Sequence, residues 1–226
     1  VQLIDEGNTI PFIARYRKEM TGALNDETLR NLHERLLYLR NLEEKKEQVI
    51  NAITDQGKMT EDLKKKILSA ETLVAVDDLY RPYRPKKQTR ATKAKEKGLE
   101  PLANILLLQK TTKSMEEEAA AFVNAEKGVA NAKEAIAGAK DIIAEIIADM
   151  ADYRKSIRNC TMKQGSLVVK AKDEKAESVY EMYYDFREPL SKVTGYRVLA
   201  INRGEKEKFL TVKVEAPDVQ IVNALN

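Results

Sequence analysis

Eight basic side chains fall between positions 81 and 97: Arg81, Arg84, Lys86, Lys87, Arg90, Lys93, Lys95 and Lys97, against the single acid Glu96. The segment carries +7, which leaves −4 for the rest of a 226-residue chain whose formal net charge is +3. A row of Arg and Lys neutralises phosphates and releases counterions, and this affinity does not depend on base sequence. Tyr83 lies among these charges. A ring so placed can stack on a base of single-stranded nucleic acid, a contact worth ~1–3 kcal/mol by alanine substitution. If 90–97 is helical, Arg90, Lys93 and Lys97 stand at i, i+3 and i+7 and share one face. The bland alternative is a solvated basic connector, or arginines paired with acidic helices of the same protein. The residues alone leave both open.

Other chemistries find less support. His33 is the only histidine and Cys160 the only cysteine, whereas a soft-metal site needs several such ligands together. Three carboxylate pairs stand out: Asp77 with Asp78, Asp141 with Glu145, and Asp149 with Asp152. The last two have helical spacing and could serve a hard cation or acid–base chemistry. Among 36 acidic residues, however, such pairs arise readily on solvated faces. Asp77 and Asp78 directly precede the basic segment, so pairing with an arginine is their expected role. No G-x-S-x-G elbow, P-loop or dinucleotide fingerprint can be written anywhere in the chain. The expectation is therefore no catalysis, no cofactor, no metal and no small-molecule substrate.

The elements that must position the basic segment read as mostly helical. A 43% hydrophobic composition rules out a wholly disordered chain, and 33% charged residues point to long solvated helices. No run approaches eighteen apolar residues, so no membrane partner is expected. One cysteine cannot make an internal disulfide, and nothing asks for an oxidising compartment. The chain opens Val1-Gln2-Leu3 with no Met, as a piece of a longer polypeptide would.

A short helix is expected over 11–20, stopped by Gly22. Asn25 then caps a long amphipathic helix over 26–56, with Asp26 and Glu27 favoured by the helix dipole and Gly57 as its stop. A coiled coil is the rival reading, but the heptad spacing slips after Leu39, which favours packing within one chain. Its polar run Glu43-Glu44-Lys45-Lys46-Glu47 reads as an exposed strut. Thr60 and Thr72 open two short helices resembling a helix-turn-helix. Pro82 and Pro85 are expected to keep 81–86 extended. A short helix over 90–97 ends at Gly98, and Pro101 opens the next. Ser114 with Glu117 makes a capping box. A further helical region runs over 130–158, with Gly138 as a break. From Gly165 onward the pattern changes. A strand is expected at 167–169, a helix over 174–186, and a β-hairpin from 196–202 and 209–214 about the loop 203–206.

Five strings carry a family resemblance: TIPFIARYRKEMTG (9–22), DLYRPYRPKKQTRATKAKEKGLEPLA (78–103), GAKDIIAEIIAD (138–149), YYDFREPL (183–190) and RVLAINRGEKEKFL (197–210). They occur in order over essentially the whole chain, and the chain resembles the bacterial transcription accessory family, Tex. The resemblance implies a cytoplasmic protein several times longer, related to a eukaryotic transcription elongation factor. It implies a helical N-terminal region with a helix-turn-helix, joined to an RNase H-like domain, a helix-hairpin-helix region and an OB-fold RNA-binding domain. Nucleic-acid binding in that family is attributed chiefly to the OB-fold, so the basic segment here would be an auxiliary contact.

The expected fold is thus mainly α, with a small α+β portion containing a β-hairpin at the C-terminal end. Residues 1–110 form a helical region with the long helix and the helix-turn-helix-like basic part, 111–164 a second helical region, and 165–226 an α+β segment leading toward the RNase H-like domain. The expected function is a non-enzymatic nucleic-acid-binding module for RNA or single-stranded DNA. Its contacts would be Arg81, Tyr83, Arg84, Lys86, Lys87, Arg90, Lys93, Lys95 and Lys97, with the transcription machinery as a further partner. The alternative is a scaffold whose basic segment docks on acidic protein surface.

Overall fold

The structure, a computed structural model, describes residues 1–85 and 87–225. It is mainly α-helical with one small antiparallel sheet, as the hydrophobic periodicity requires. The chain divides into two compact units, Val1–Pro85 and Lys86–Asn226.

In the first unit, α1 (Gln2–Asp5), α2 (Ile10–Tyr16) and α3 (Lys18–Thr21) lead into α4 (Asp26–Asp55). The single helix expected over 11–20 is instead broken at Arg17 (φ −132°, ψ 37°), and Gly22 in the left-handed region closes it. Helix α4 spans about 45 Å at 1.5 Å per residue. Its start follows from the Asn25 side chain, which accepts the Thr28 N–H at 2.8 Å. Leu42, Val49 and Ile53 of α4 form a core with Ile67 of α5 (Glu61–Leu68) and Val76 of α6 (Leu73–Tyr80). The exposed strut expected at 43–47 does not hold throughout. Lys46 is buried, bonded to Glu43 at 2.8 Å and to the Leu68 carbonyl at 2.9 Å. Its position four residues after Leu42 places it on the core-facing stripe.

Asp5 ties α1 to α4. Its two carboxylate oxygens accept from the Arg40 guanidinium at 2.7 and 2.9 Å. That hydrogen bonding, with the cation's charge, holds the Asp5 carboxyl below its usual range. The folded value is depressed, so the stabilisation is present above the ordinary carboxyl range and is lost as pH falls through the lowered value. In a carbon-detected NMR titration, Asp5 should titrate below the ordinary carboxyl range, and Arg40→Gln should return it to that range. The same Asp5 midpoint with and without the Arg40 substitution would contradict the tie.

In the second unit, α7 (Arg90–Glu96), α8 (Glu100–Leu108) and α9 (Met115–Ala120) pack around α10 (Ala132–Asp149). Ser114 and Glu117 form the expected capping box of α9. Gly138 does not break α10. A Cβ there would overlap Leu99 Cδ1 and stand 3.2 Å from Ala94 Cβ, so glycine serves close packing of α10 on α7 and on Leu99, the residue that precedes α8. The break falls at Met150 (ψ 117°), after which α11 (Ala151–Gln164) begins.

The sheet contains β1 (Ser166–Ala171), β2 (Asp185–Pro189) and β3 (Leu210–Glu215) in the order β2-β1-β3, all antiparallel. Two expectations fail here. Residues 174–186 form no α-helix, only the 3-10 turn Glu181–Tyr183, because Tyr180 and Tyr183 turn inward onto Val169 and Leu210, and from Asp185 the side chains alternate as an edge strand. Pro189 is tolerated in that strand because β2 lies at an edge. Residues 196–206 are not a strand and hairpin loop but part of α12 (Gly195–Lys206), followed after β3 by α13 (Asp218–Leu225). Gly204 lies inside α12 because a Cβ would come within 2.5 Å of Leu210 Cδ1. Among the described residues, no helix is long and apolar enough to cross a membrane.

Candidate nucleic-acid interface

The basic segment begins where α6 ends. Residues Arg81–Tyr83 form a 3-10 turn rather than the expected extended run, because Pro82 fits the first turn of a helix and removes no needed donor. Arg84 is extended (φ −66°, ψ 134°), as the residue before Pro85 should be. Arg84 pairs with Asp77 at 2.9 Å and lies over the Tyr80 ring. Lys45 reaches the same carboxylate at 3.6 Å. The expected arginine partner of the Asp77-Asp78 pair is therefore present, while Asp78 itself is buried. Arg81 is exposed. Tyr83 is half-buried, packs on the α4–α6 core, and its carbonyl accepts from Gln56 at 3.0 Å. Part of the ring proposed for stacking is thus committed to the first unit. Lys86 lies outside the described residues.

The second unit carries Lys87, Arg90, Lys93, Lys95 and Lys97, all exposed. Helix α7 buries only Ala91 and Ala94, so its long cationic side chains must point outward. Both its ends are fastened. The Thr89 hydroxyl accepts the Thr92 N–H at 3.0 Å, completing a capping box, and donates to Glu145 of α10 at 3.0 Å. At the other end Lys97 Nζ donates to the Gly128 carbonyl at 2.8 Å. That carbonyl belongs to a tight turn closed by the Asn124–Val129 bridge, with Gly128 in the left-handed region.

Arg90, Lys93 and Lys97 do share one face, and all three line a cleft of about 260 Å³. Leu99, Val129 and Gly138 supply apolar lining. Glu134 and Asp141, one face of α10 at i and i+7, stand among the lining residues as well. Arg90 Nε is 3.6 Å from Asp141, and its side chain is 87% exposed. Lys95 approaches Glu100 at 3.8 Å. Lys93 has no carboxylate within 4.0 Å among the described residues.

The carboxylate pairs considered for acid–base or metal work separate. Glu145 is occupied by Thr89, while Asp141 faces Arg90. Asp149 is buried and Asp152 exposed. Among the described residues, no group of three or more His, Cys, Asp or Glu could hold a metal ion. Glu134 and the Gly128 turn escaped the sequence reading. The available signal was the i, i+7 spacing of Glu134 and Asp141, which has no meaning until α7 is known to lie against that face.

A mainly helical chain that ends in a small antiparallel sheet is the class this fold defines. A family model described as Tex central region-like matches residues 110–224, and one described as Tex-like protein N-terminal domain matches residues 1–54. The chain belongs to the Tex family. The basic segment falls between the two matched stretches. Relatives cover it nonetheless. Protein YhgF of Escherichia coli is 45% identical over 96% of this chain and 28% of its own length. Transcriptional accessory protein Tex of Neisseria gonorrhoeae is 40% identical over 95% of this chain and 28% of its own. The human S1 RNA-binding domain-containing protein 1 is 34% identical over 96% of this chain and 22% of its own. The chain spans less than a third of the length of these relatives.

Proposed function

We propose that this chain is a non-enzymatic, nucleic-acid-associated module of a cytoplasmic transcription accessory protein. It binds RNA or single-stranded DNA through phosphate contacts from the 81–97 segment, alongside the transcription machinery. The observation that carries this reading is α7, fastened at both ends while Arg90, Lys93 and Lys97 face outward. A fastened helix spares the backbone-ordering cost of meeting a phosphate backbone. The names of the Neisseria and human relatives support the same direction.

The scaffold reading has its own observation: Arg84, Arg90 and Lys95 each already face a carboxylate of this chain. Magnitude favours the nucleic acid. Those pairs are exposed, and exposed pairs contribute only ~0–1 kcal/mol, so a phosphate can displace the carboxylate at small cost.

Binding of single-stranded oligonucleotides should be measured from low to high salt. Engagement of about five phosphates gives a slope of log affinity against log salt near −3.5. Changing Lys86, Lys87, Arg90 and Lys93 to Glu should flatten that slope and weaken binding by about a hundredfold at moderate salt. Unaltered affinity in a folded variant would overturn the assignment in favour of the scaffold.

A further inference from the structure

The first unit exposes two aromatic rings that its own packing does not use. Helix α2 buries Ile13 alone, at 1% exposure. Phe12 and Tyr16, four residues apart on one face, stay 36% and 57% exposed with ring centres 5.3 Å apart. Each ring carries a cation. The Arg17 guanidinium carbon lies 5.3 Å from the Phe12 ring centre, and that of Arg15 lies 6.0 Å from the Tyr16 ring centre. Arg17, at the break after α2, also donates through Nη1 to the Tyr16 carbonyl at 3.2 Å. Aromatic rings set among arginines are the composition of a contact surface rather than of bare solvated surface.

Arg15 also lines a cleft of about 580 Å³, with Lys18 and Arg30 as further cations. Arg30 is already paired at 2.7 Å with Asp26, the acid among the lining residues. None of Arg15, Arg17 and Lys18 has a carboxylate within 4.0 Å among the described residues. That separates them from Arg84, Arg90 and Lys95 of the basic segment, which each face one. The apolar lining is mostly small, Pro11, Ala14 and Ala23 beside Leu24. It offers no deep pocket for the anchors of a partner helix. A second copy of this chain would bring the same unpaired cations against them. A polyanion with flat faces meets neither objection.

Single-strand binding combines a cationic groove that follows the backbone with aromatic rings that stack on bases. We propose that the α2–α3 corner is a second single-strand contact, in which a base stacks on Tyr16 and the adjoining phosphates lie on Arg15 and Lys18. Arg15 joins the two parts, since it lines the cleft and lies over the Tyr16 ring. Phe12 with Arg17 extends the platform. Stacking uses the flat face that every base has, so the surface takes single strands without selecting base sequence. It discriminates against a duplex, whose bases already stack on one another. The corner lies in the first unit, far in sequence from the lysines of the 81–97 row. This inference rests on the nucleic-acid reading and deepens it.

The test uses the 226-residue chain with a short oligouridylate, and a duplex of the same length, across salt. Tyr16→Ala should weaken oligouridylate binding about tenfold with the salt slope unchanged. Tyr16→Phe keeps the ring and should stay within about twofold of the parent. Arg15→Gln combined with Lys18→Gln should make the slope shallower by about 1.4, from two single-strand phosphates at ~0.7 each. Tyr16 is 57% exposed, so urea unfolding of its variants should coincide with the parent. Parent-like affinity in Tyr16→Ala with the salt slope retained overturns this inference, assigns the rings to a protein partner and leaves the nucleic-acid reading standing. Tyr16→Phe as weak as Tyr16→Ala, or an equal loss on duplex, overturns the stacking as well. An unchanged slope in the glutamine variant overturns the phosphate contacts whatever Tyr16 does. Salt-insensitive or undetectable binding by the unsubstituted chain overturns both this inference and the nucleic-acid reading itself.

Discussion

Gly138→Val should destabilise the second unit by about 3 kcal/mol. A Cβ at this position overlaps Leu99 Cδ1 and presses on Ala94 Cβ at 3.2 Å. Neither neighbour has anywhere to go, since Leu99 is 2% and Ala94 4% exposed. Ala at 138 separates the two opposing effects. It gains ~1 kcal/mol of helix propensity over glycine but must still displace Leu99, for a net loss of about 1 kcal/mol. Valine adds two methyls and a stiff χ1 to the same overlap, with no further gain in propensity. Gly195→Ala is the matched control. No atom lies within 4 Å of a Cβ there, so stability should change by less than ~0.5 kcal/mol. Urea unfolding followed by a second-unit probe reads the series, and a Val variant as stable as the parent would contradict the packing. Ala94 belongs to α7, so pushing it outward also moves the cationic row away from Asp141. Oligonucleotide affinity should fall in this variant although no charge has changed.

That coupling marks the limit of what the sequence discloses. Local signals were legible wherever one residue acts on its own backbone: Asn25 capping α4, Ser114 with Glu117 capping α9, and Gly22 closing α3. The charge row was equally plain, because i, i+3, i+7 spacing needs only a helix. What failed was decided by contacts distant in sequence. Tyr180 and Tyr183 look like one face of a helix until Val169 and Leu210 supply the surface they cover. The 196–202 run reads as a strand until Ile201 and Gly204 are seen to face that same core. Gly138 reads as a breaker until Leu99 is found beneath it. The candidate site divides in the same way. Its cationic row is contiguous and could be read, while Glu134 and Asp141 come from another helix and could not.

Lys46 shows the same principle with the opposite sign, a charged residue doing the packing of an apolar one. Lys46→Ala should cost about 3 kcal/mol, the range for truncating a long buried side chain. The side chain is only 8% exposed, and its four-carbon stem occupies the stripe between Leu42 and Val49, where a shorter residue leaves a cavity. The ammonium contributes separately. Its bond to the Leu68 carbonyl at 2.9 Å places a cation on the last turn of α5, where the helix dipole favours positive charge. Lys46→Met keeps the stem and removes the charge, which distinguishes the two contributions. Replacing a buried, paired charge by an apolar group of similar volume is often close to neutral. Against that stands one lost charge-assisted bond, worth ~1.5–3 kcal/mol at most. Glu43 is 66% exposed and is readily rehydrated, so its release costs little. The Met variant should therefore lose about 1 kcal/mol, well short of the Ala variant, in denaturant unfolding. If Met proves as damaging as Ala, the ammonium rather than the stem holds α5 on α4. If both prove neutral, the first-unit core does not depend on this position at all.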